Sequence, residues 1–102
     1  NDLRKELGIK KLPVVIANSG FGGRKQKIDR RLGIMKAQAA VAQRAEFKGS
    51  VTTVETRDFF RPADVSPANQ GYHWNANAET YFLIGNAMGE AMKNLVKTSL
   101  KK

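Results

Sequence analysis

The apolar positions of this chain change spacing along its length, and each spacing predicts a different element. Leu3 and Leu7 lie four apart and Gly8 follows as a stop signal, so residues 2–8 read as the end of a helix. Leu12-Pro13-Val14-Val15-Ile16-Ala17 is a short unbroken apolar run. A run without alternation fits a strand buried on both faces of a parallel sheet. From Ile28 to Phe47 the period lengthens: Ile28, Leu32, Met35, Ala39 and Ala42 recur at helical spacing, the Ala-rich stretch from Ala37 to Ala45 favours helix, and Gly49 closes it. Val51-Thr52-Thr53-Val54-Glu55-Thr56 is β-branched and reads as a second strand. Strand, helix and strand in that order predict a right-handed crossover with the two strands parallel. After a polar loop punctuated by Pro62 and Pro67, an apolar stripe of Tyr81, Ile84, Met88, Ala91 or Met92, and Leu95 predicts a long final helix. Asn75 or Asn77 is placed to cap it, and Gly85 and Gly89 are spaced for close packing. Lys93, Lys97, Lys101 and Lys102 gather at its C-terminal end, where the helix dipole favours cations.

This inventory is α/β, but it is half a fold. A buried parallel sheet needs neighbouring strands and helices on both faces, and only two strands are legible. Residues 1–102 therefore read as one part of a single larger domain whose remaining strands precede Asn1, or as a chain whose sheet a second copy completes. Length and composition agree with a core that needs help: 102 residues, 41% hydrophobic and no cysteine leave neither disulfides nor thiolate metal sites to compensate for a small interior. No apolar run approaches the ~20 residues of a membrane helix. The N-terminus lacks a signal peptide's apolar stretch, so the sequence carries no address.

Charge changes the picture less than its total suggests. The formal net charge is +9, and the pI is near 10.2. Twelve Lys and Arg stand against four Asp and Glu in residues 1–50, whereas residues 51–102 hold six against five. The excess is densest at Arg24, Lys25, Lys27, Arg30 and Arg31, where a helix begins. That run reads as the solvated face of the helix in preference to a phosphate-binding patch, and a small basic module binding nucleic acid or another polyanion is the alternative reading.

Candidate chemistry collects in two loops. Ligands of open parallel sheets bind beyond the carboxyl ends of the strands. The segment Asn18-Ser19-Gly20-Phe21-Gly22-Gly23 follows the first strand there, and the loop Arg57–Asn75 follows the second. The second loop holds the only histidine, His73, between Tyr72 and Trp74, aromatic residues able to line a sugar-sized cleft. One His with Asp58, Asp64 and Glu79 makes no recognised zinc pattern. The glycine loop matches neither the dinucleotide fingerprint nor the Walker A pattern, and no cofactor is implied. Ser19 lacks the flanking glycines of a nucleophile elbow and reads as structural.

The run Asp58-Phe59-Phe60-Arg61-Pro62, followed by Asn69-Gln70-Gly71-Tyr72-His73-Trp74-Asn75-Ala76-Asn77-Ala78-Glu79-Thr80-Tyr81-Phe82-Leu83-Ile84-Gly85-Asn86-Ala87-Met88-Gly89, resembles the C-terminal region of the sialate O-acetylesterase / acetylxylan esterase family. This is the sixth carbohydrate esterase family, of SGNH-hydrolase type. Leu3–Gly8, the first strand and the glycine loop are similar to the family's late helix and strand, so the likeness covers nearly the whole chain. Gln70–Asn75 is its specific part.

The resemblance implies the C-terminal portion of a three-layer, flavodoxin-like SGNH sheet and a serine esterase acting on acetylated carbohydrate, secreted or periplasmic. Its nucleophile and oxyanion donors would lie outside residues 1–102, leaving these residues inactive alone. His73 would be the general base, with Tyr72 and Trp74 at the substrate. An aspartate is usual three residues before the histidine, but position 70 is Gln, which can orient an imidazole without compensating its charge. Asp64 and Asp58 are the in-chain candidates for the acid.

Overall fold

The computed structural model describes residues 1–100, with side chains through Thr98. Lys101 and Lys102, expected at the end of the last helix, lie outside the described residues. The fold is mixed α/β. Helix α1 (Asp2–Leu7) leads to strand β1 (Val14–Ala17), helix α2 (Asp29–Val41), strand β2 (Val51–Val54) and helix α3 (Ala78–Leu100). Short 3-10 turns occupy Gly23–Lys25, Arg57–Phe59, Ala63–Val65 and Gly71–Ala76.

β1 and β2 pair in parallel, with Val14 opposite Val51 and Ala17 opposite Val54. The Val14 N–H donates to the Ser50 carbonyl at 2.9 Å and the Asn18 N–H to the Val54 carbonyl at 3.1 Å, bonding the pair at both ends. α3 lies along both strands and α2 packs against β2. α1 ends at Gly8, whose φ of 67° sits in the left-handed region where a side chain would be strained. From α1, Arg4 reaches the amino end of the sheet: its guanidinium donates to the Leu12 carbonyl (2.8 Å) and Ser50 Oγ (2.9 Å) and lies 5.4 Å from the Phe47 ring centroid.

Four sequence expectations shift. α2 stops at Val41 rather than continuing to Phe47, although the sequence remains Ala-rich. Thirteen helical residues already span about 20 Å, more than the roughly 13 Å of a four-residue strand. The chain must turn back to begin β2, and it does so through successive turns, with the Arg44 N–H on the Val41 carbonyl and the Phe47 N–H on the Arg44 carbonyl. Both strands are shorter than their apolar runs, since Leu12 and Pro13 precede β1 and Glu55 and Thr56 follow β2. On α3, Tyr81 is half exposed and Thr80 is the buried residue instead. Gly85 and Gly89 face open space, not a packed neighbour.

Among the described residues the buried apolar side chains are Met35, Val51 and Val54. The two most completely buried side chains are polar, Thr56 and Thr80. Leu3, Leu12, Val14, Ile16, Val41 and Phe47 line an open apolar groove beside β1. The accessible surface is 7231 Å², against about 5,700 Å² for a compact monomer of 11.3 kDa.

Candidate functional site

The carboxyl ends of the two strands are held together by a polar knot. Thr56, fully buried, receives the Gly20 N–H on its Oγ1 (3.2 Å), and its own N–H donates to Asn18 Oδ1 (3.0 Å). The Thr56 hydroxyl proton is offered to two acceptors on Asn18, the carbonyl at 2.9 Å and Oδ1 at 2.7 Å. Gly20 has to be glycine for this approach, because a Cβ there would stand 2.8 Å from the Arg57 backbone nitrogen. The glycine loop after β1 is thereby locked to the start of the loop after β2.

Above this knot sits the segment that carries His73. The Gln70 carbonyl accepts from both the His73 N–H (2.9 Å) and the Asn75 N–H (3.0 Å), folding Gly71–Ala76 into a tight turn. Trp74, Asn75 and Ala76 then follow one another at φ of 54°, 53° and 54°. Left-handed backbone costs non-glycine residues about 1–2 kcal/mol each, so the surrounding contacts must hold the turn. Trp74 supplies one anchor: its ring lies 6.3 Å from Phe21, edge-on at 88°, and 6.4 Å from Phe60. Asn75 supplies a second, buried and donating through Nδ2 to the Arg61 carbonyl at 3.0 Å. Its Oδ1 is buried with no partner among the described residues. A third is Asn77, whose Oδ1 caps α3 by accepting from the Thr80 N–H at 3.2 Å. Of the two asparagines able to cap this helix, Asn77 does so.

His73 itself is exposed, with its backbone fixed and its ring free of hydrogen bonds among the described residues. The Tyr81 hydroxyl, one turn into α3, donates to the His73 carbonyl at 2.8 Å. The Tyr72 ring lies 4.3 Å from the imidazole at a 48° tilt. Because Phe21 belongs to the loop after β1 and Phe60 to the loop after β2, Trp74 joins both carboxyl-end loops and seats His73 beside them.

The two aspartates considered for the acid stand apart from the imidazole's hydrogen bonding. Asp58 forms a bidentate pair with Arg24, at 2.9 and 3.0 Å. That pair holds the Asp58 carboxyl below its ordinary range and raises the Arg24 guanidinium. Asp64 is exposed, and no hydrogen bond or ion pair joins it to another described residue. Glu55, chelated by the Arg57 guanidinium at 2.9 Å through each oxygen, has its carboxyl lowered to about 2, chiefly by that hydrogen bonding. Arg61 pairs with Glu79 at 2.7 Å across the start of α3. Ser19 is engaged elsewhere, in a reciprocal pair with Gln38: its N–H donates to Oε1 (2.9 Å) and its Oγ accepts from Nε2 (3.1 Å).

Sequence reasoning brings out His73, Tyr72 and Trp74 and misses Tyr81, Phe21 and Phe60. Tyr81 falls in the apolar stripe and reads as core. Phe21 carried a signal, an aromatic flanked by glycines in a loop at the strand end, where no helical or strand period explains it. Among the described residues no cluster of His, Cys, Asp and Glu is arranged to hold a metal. No described helix is long and apolar enough to cross a membrane. No protein-family model, curated protein or solved structure matches the chain.

Proposed function

We propose that residues 1–102 form the C-terminal part of an SGNH-type carbohydrate O-acetylesterase, with His73 as its general base. The observation that carries the reading is the seating of His73: an exposed imidazole on a strained, multiply anchored turn, beside the carboxyl-end loops of both parallel strands. Strained backbone persists where the surrounding structure holds it in place, and such sites cluster at active centres. The likeness of Gln70–Gly89 to the carbohydrate esterases gives that histidine its role.

In this reaction a serine hydroxyl contributed from outside residues 1–102 attacks the acetyl carbonyl carbon while His73 accepts its proton. The tetrahedral intermediate collapses with cleavage of the bond to the sugar oxygen, which takes the proton from His73 and leaves as the alcohol. Water then attacks the acetyl-serine, gives a proton to His73, and acetate departs as the serine recovers its hydrogen. Tyr72 and Trp74 present aromatic surface to the sugar. The Asp58 carboxylate is committed to Arg24, which leaves Asp64, exposed and unpaired among the described residues, as the in-chain candidate for the acid that supports His73, with an acid from outside residues 1–102 as the alternative.

The test is acetate release from 4-nitrophenyl acetate and acetylated xylan by the intact protein and its His73→Ala variant. The expected loss is a factor of roughly 10³ or more in kcat. A variant that turns over at the wild-type rate removes His73 from the mechanism.

A further inference from the structure

The carboxyl-end loops carry more positive charge than their own carboxylates neutralise. Arg24 is matched by Asp58, Arg57 by Glu55 and Arg61 by Glu79. Lys25, Lys27 and Arg30, all exposed, form no ion pair among the described residues. Arg31 extends this row inward, its guanidinium stacked 5.2 Å from the centroid of Phe21. Phe21 meets Trp74 edge-on, and Trp74 adjoins His73. Arg31 thus connects the start of α2, through Phe21, to the Trp74 ring that anchors the turn bearing His73. The cations of this row are also not interleaved with acids: Asp29 is the one acid between Arg24 and Arg31.

Resting on the esterase reading, we propose that Lys25, Lys27, Arg30 and Arg31 form a subsite for the anionic groups of a polysaccharide, carboxylate or sulfate, on sugar units beyond the one whose acetyl ester is cleaved. Aromatic faces near the histidine take the acetylated unit, and the basic row takes charge farther along the same chain. A repeating polyanion suits such a row because several exposed cations act together, each contributing modestly and all screened by salt.

The intact protein is assayed for acetate release from 4-nitrophenyl acetate, acetylated xylan, acetylated polygalacturonate and acetylated dextran sulfate, at low salt and at about 0.2 M salt. The two charged substrates separate carboxylate from sulfate recognition. At low salt kcat/KM on at least one of them should exceed that on acetylated xylan by about tenfold or more, through KM, and the advantage should collapse at the higher salt. A combined Lys25→Gln, Lys27→Gln and Arg30→Gln variant should lower the charged-to-neutral ratio by about three- to thirtyfold.

Equal kcat/KM on neutral and charged substrates at low salt overturns the subsite while leaving the esterase reading intact. Salt-dependent binding of a DNA oligonucleotide together with indifference to the charged polysaccharides also overturns it, in favour of a nucleic-acid face. No acetate from any of the four substrates overturns the esterase reading and this subsite with it.

Discussion

Thr56 and Thr80 sit where larger apolar residues would be expected, and both hold backbone in place with hydroxyls. Thr80 donates to the Phe59 carbonyl at 2.6 Å, tying α3 to the turn after β2, as Thr56 ties that turn to the glycine loop. A valine of the same shape would leave the Gly20 N–H and the Asn18 carbonyl unmatched, while its backbone N–H would still reach Asn18 Oδ1, so Thr56→Val in the intact protein should cost about 1–3 kcal/mol, read by urea denaturation. At Ala76 the sign reverses. Its φ of 54° is strained for alanine and free for glycine, and its side chain is exposed. Ala76→Gly should raise stability by about 1 kcal/mol in the same measurement, and a loss of stability would show that the turn is not strained there. The Tyr81 hydroxyl bond to the His73 carbonyl is exposed and contributes little to folding. Under the esterase reading, Tyr81→Phe should lower kcat by roughly tenfold, about the factor that 1.4 kcal/mol of positioning represents, with KM nearly unchanged. An unaltered kcat would mean that the turn alone fixes His73.

Between elements, the decisive contact is that of the two loops at the carboxyl ends of β1 and β2. Gly20→Ala would drive a Cβ toward the Arg57 nitrogen, and the strands' short ladder gives little room to yield. A cost of about 1–3 kcal/mol follows, and thermal unfolding of the intact protein checks it. The same junction carries a pH signature through Glu55. Its folded carboxyl titrates near 2 against an ordinary 4.5, held down by Arg57. A lowered carboxyl stabilises the fold above its unfolded value, so the contribution is complete above about pH 4.5 and disappears as pH falls toward 2. Both side chains are partly solvated, at 28% and 38% exposure for Arg57 and Glu55, which limits the effect to about 1 kcal/mol or less. Wild type should exceed Glu55→Gln by that amount at pH 6, and the two should converge near pH 2. A constant gap across that window would place the effect elsewhere.

At the scale of the molecule, apolar surface is left over. A radius of gyration of 15.4 Å exceeds the roughly 13 Å of a compact domain of 100 residues. Among the described residues Met35, Val51 and Val54 are the buried apolar side chains and much of the remaining apolar surface is half-buried or exposed, a small core to set against the conformational entropy of a chain this long. Residues 1–102 produced alone should therefore bind a hydrophobic dye and melt without a sharp transition. A cooperative, concentration-independent unfolding of a monomer would show that this core suffices.

The mixed α/β character, the parallel pair and the long last helix were legible because each rests on local spacing: an unbroken apolar run, a β-branched run, a helical stripe. Gly8 marked its helix end for an equally local reason, whereas Asn75 and Asn77 were both placed to cap α3 and the structure selected Asn77. His73 stood out as the only histidine, in a loop that strand order brings to the carboxyl edge. The rest depended on partners distant in sequence. Propensity continued α2 to Phe47, but the length of the strand beside it ended the helix at Val41. Tyr81 matched the apolar stripe, yet its hydroxyl turned to the His73 carbonyl. Asp58 and Asp64 looked alike in the loop, and only the fold brought Arg24, thirty-four residues earlier, onto both oxygens of Asp58. Sequence by itself determined which elements form, since spacing and propensity act within a few residues. Only the tertiary structure decided which side chains meet, because three consecutive left-handed residues and a knot on a buried threonine exist where the whole fold holds them.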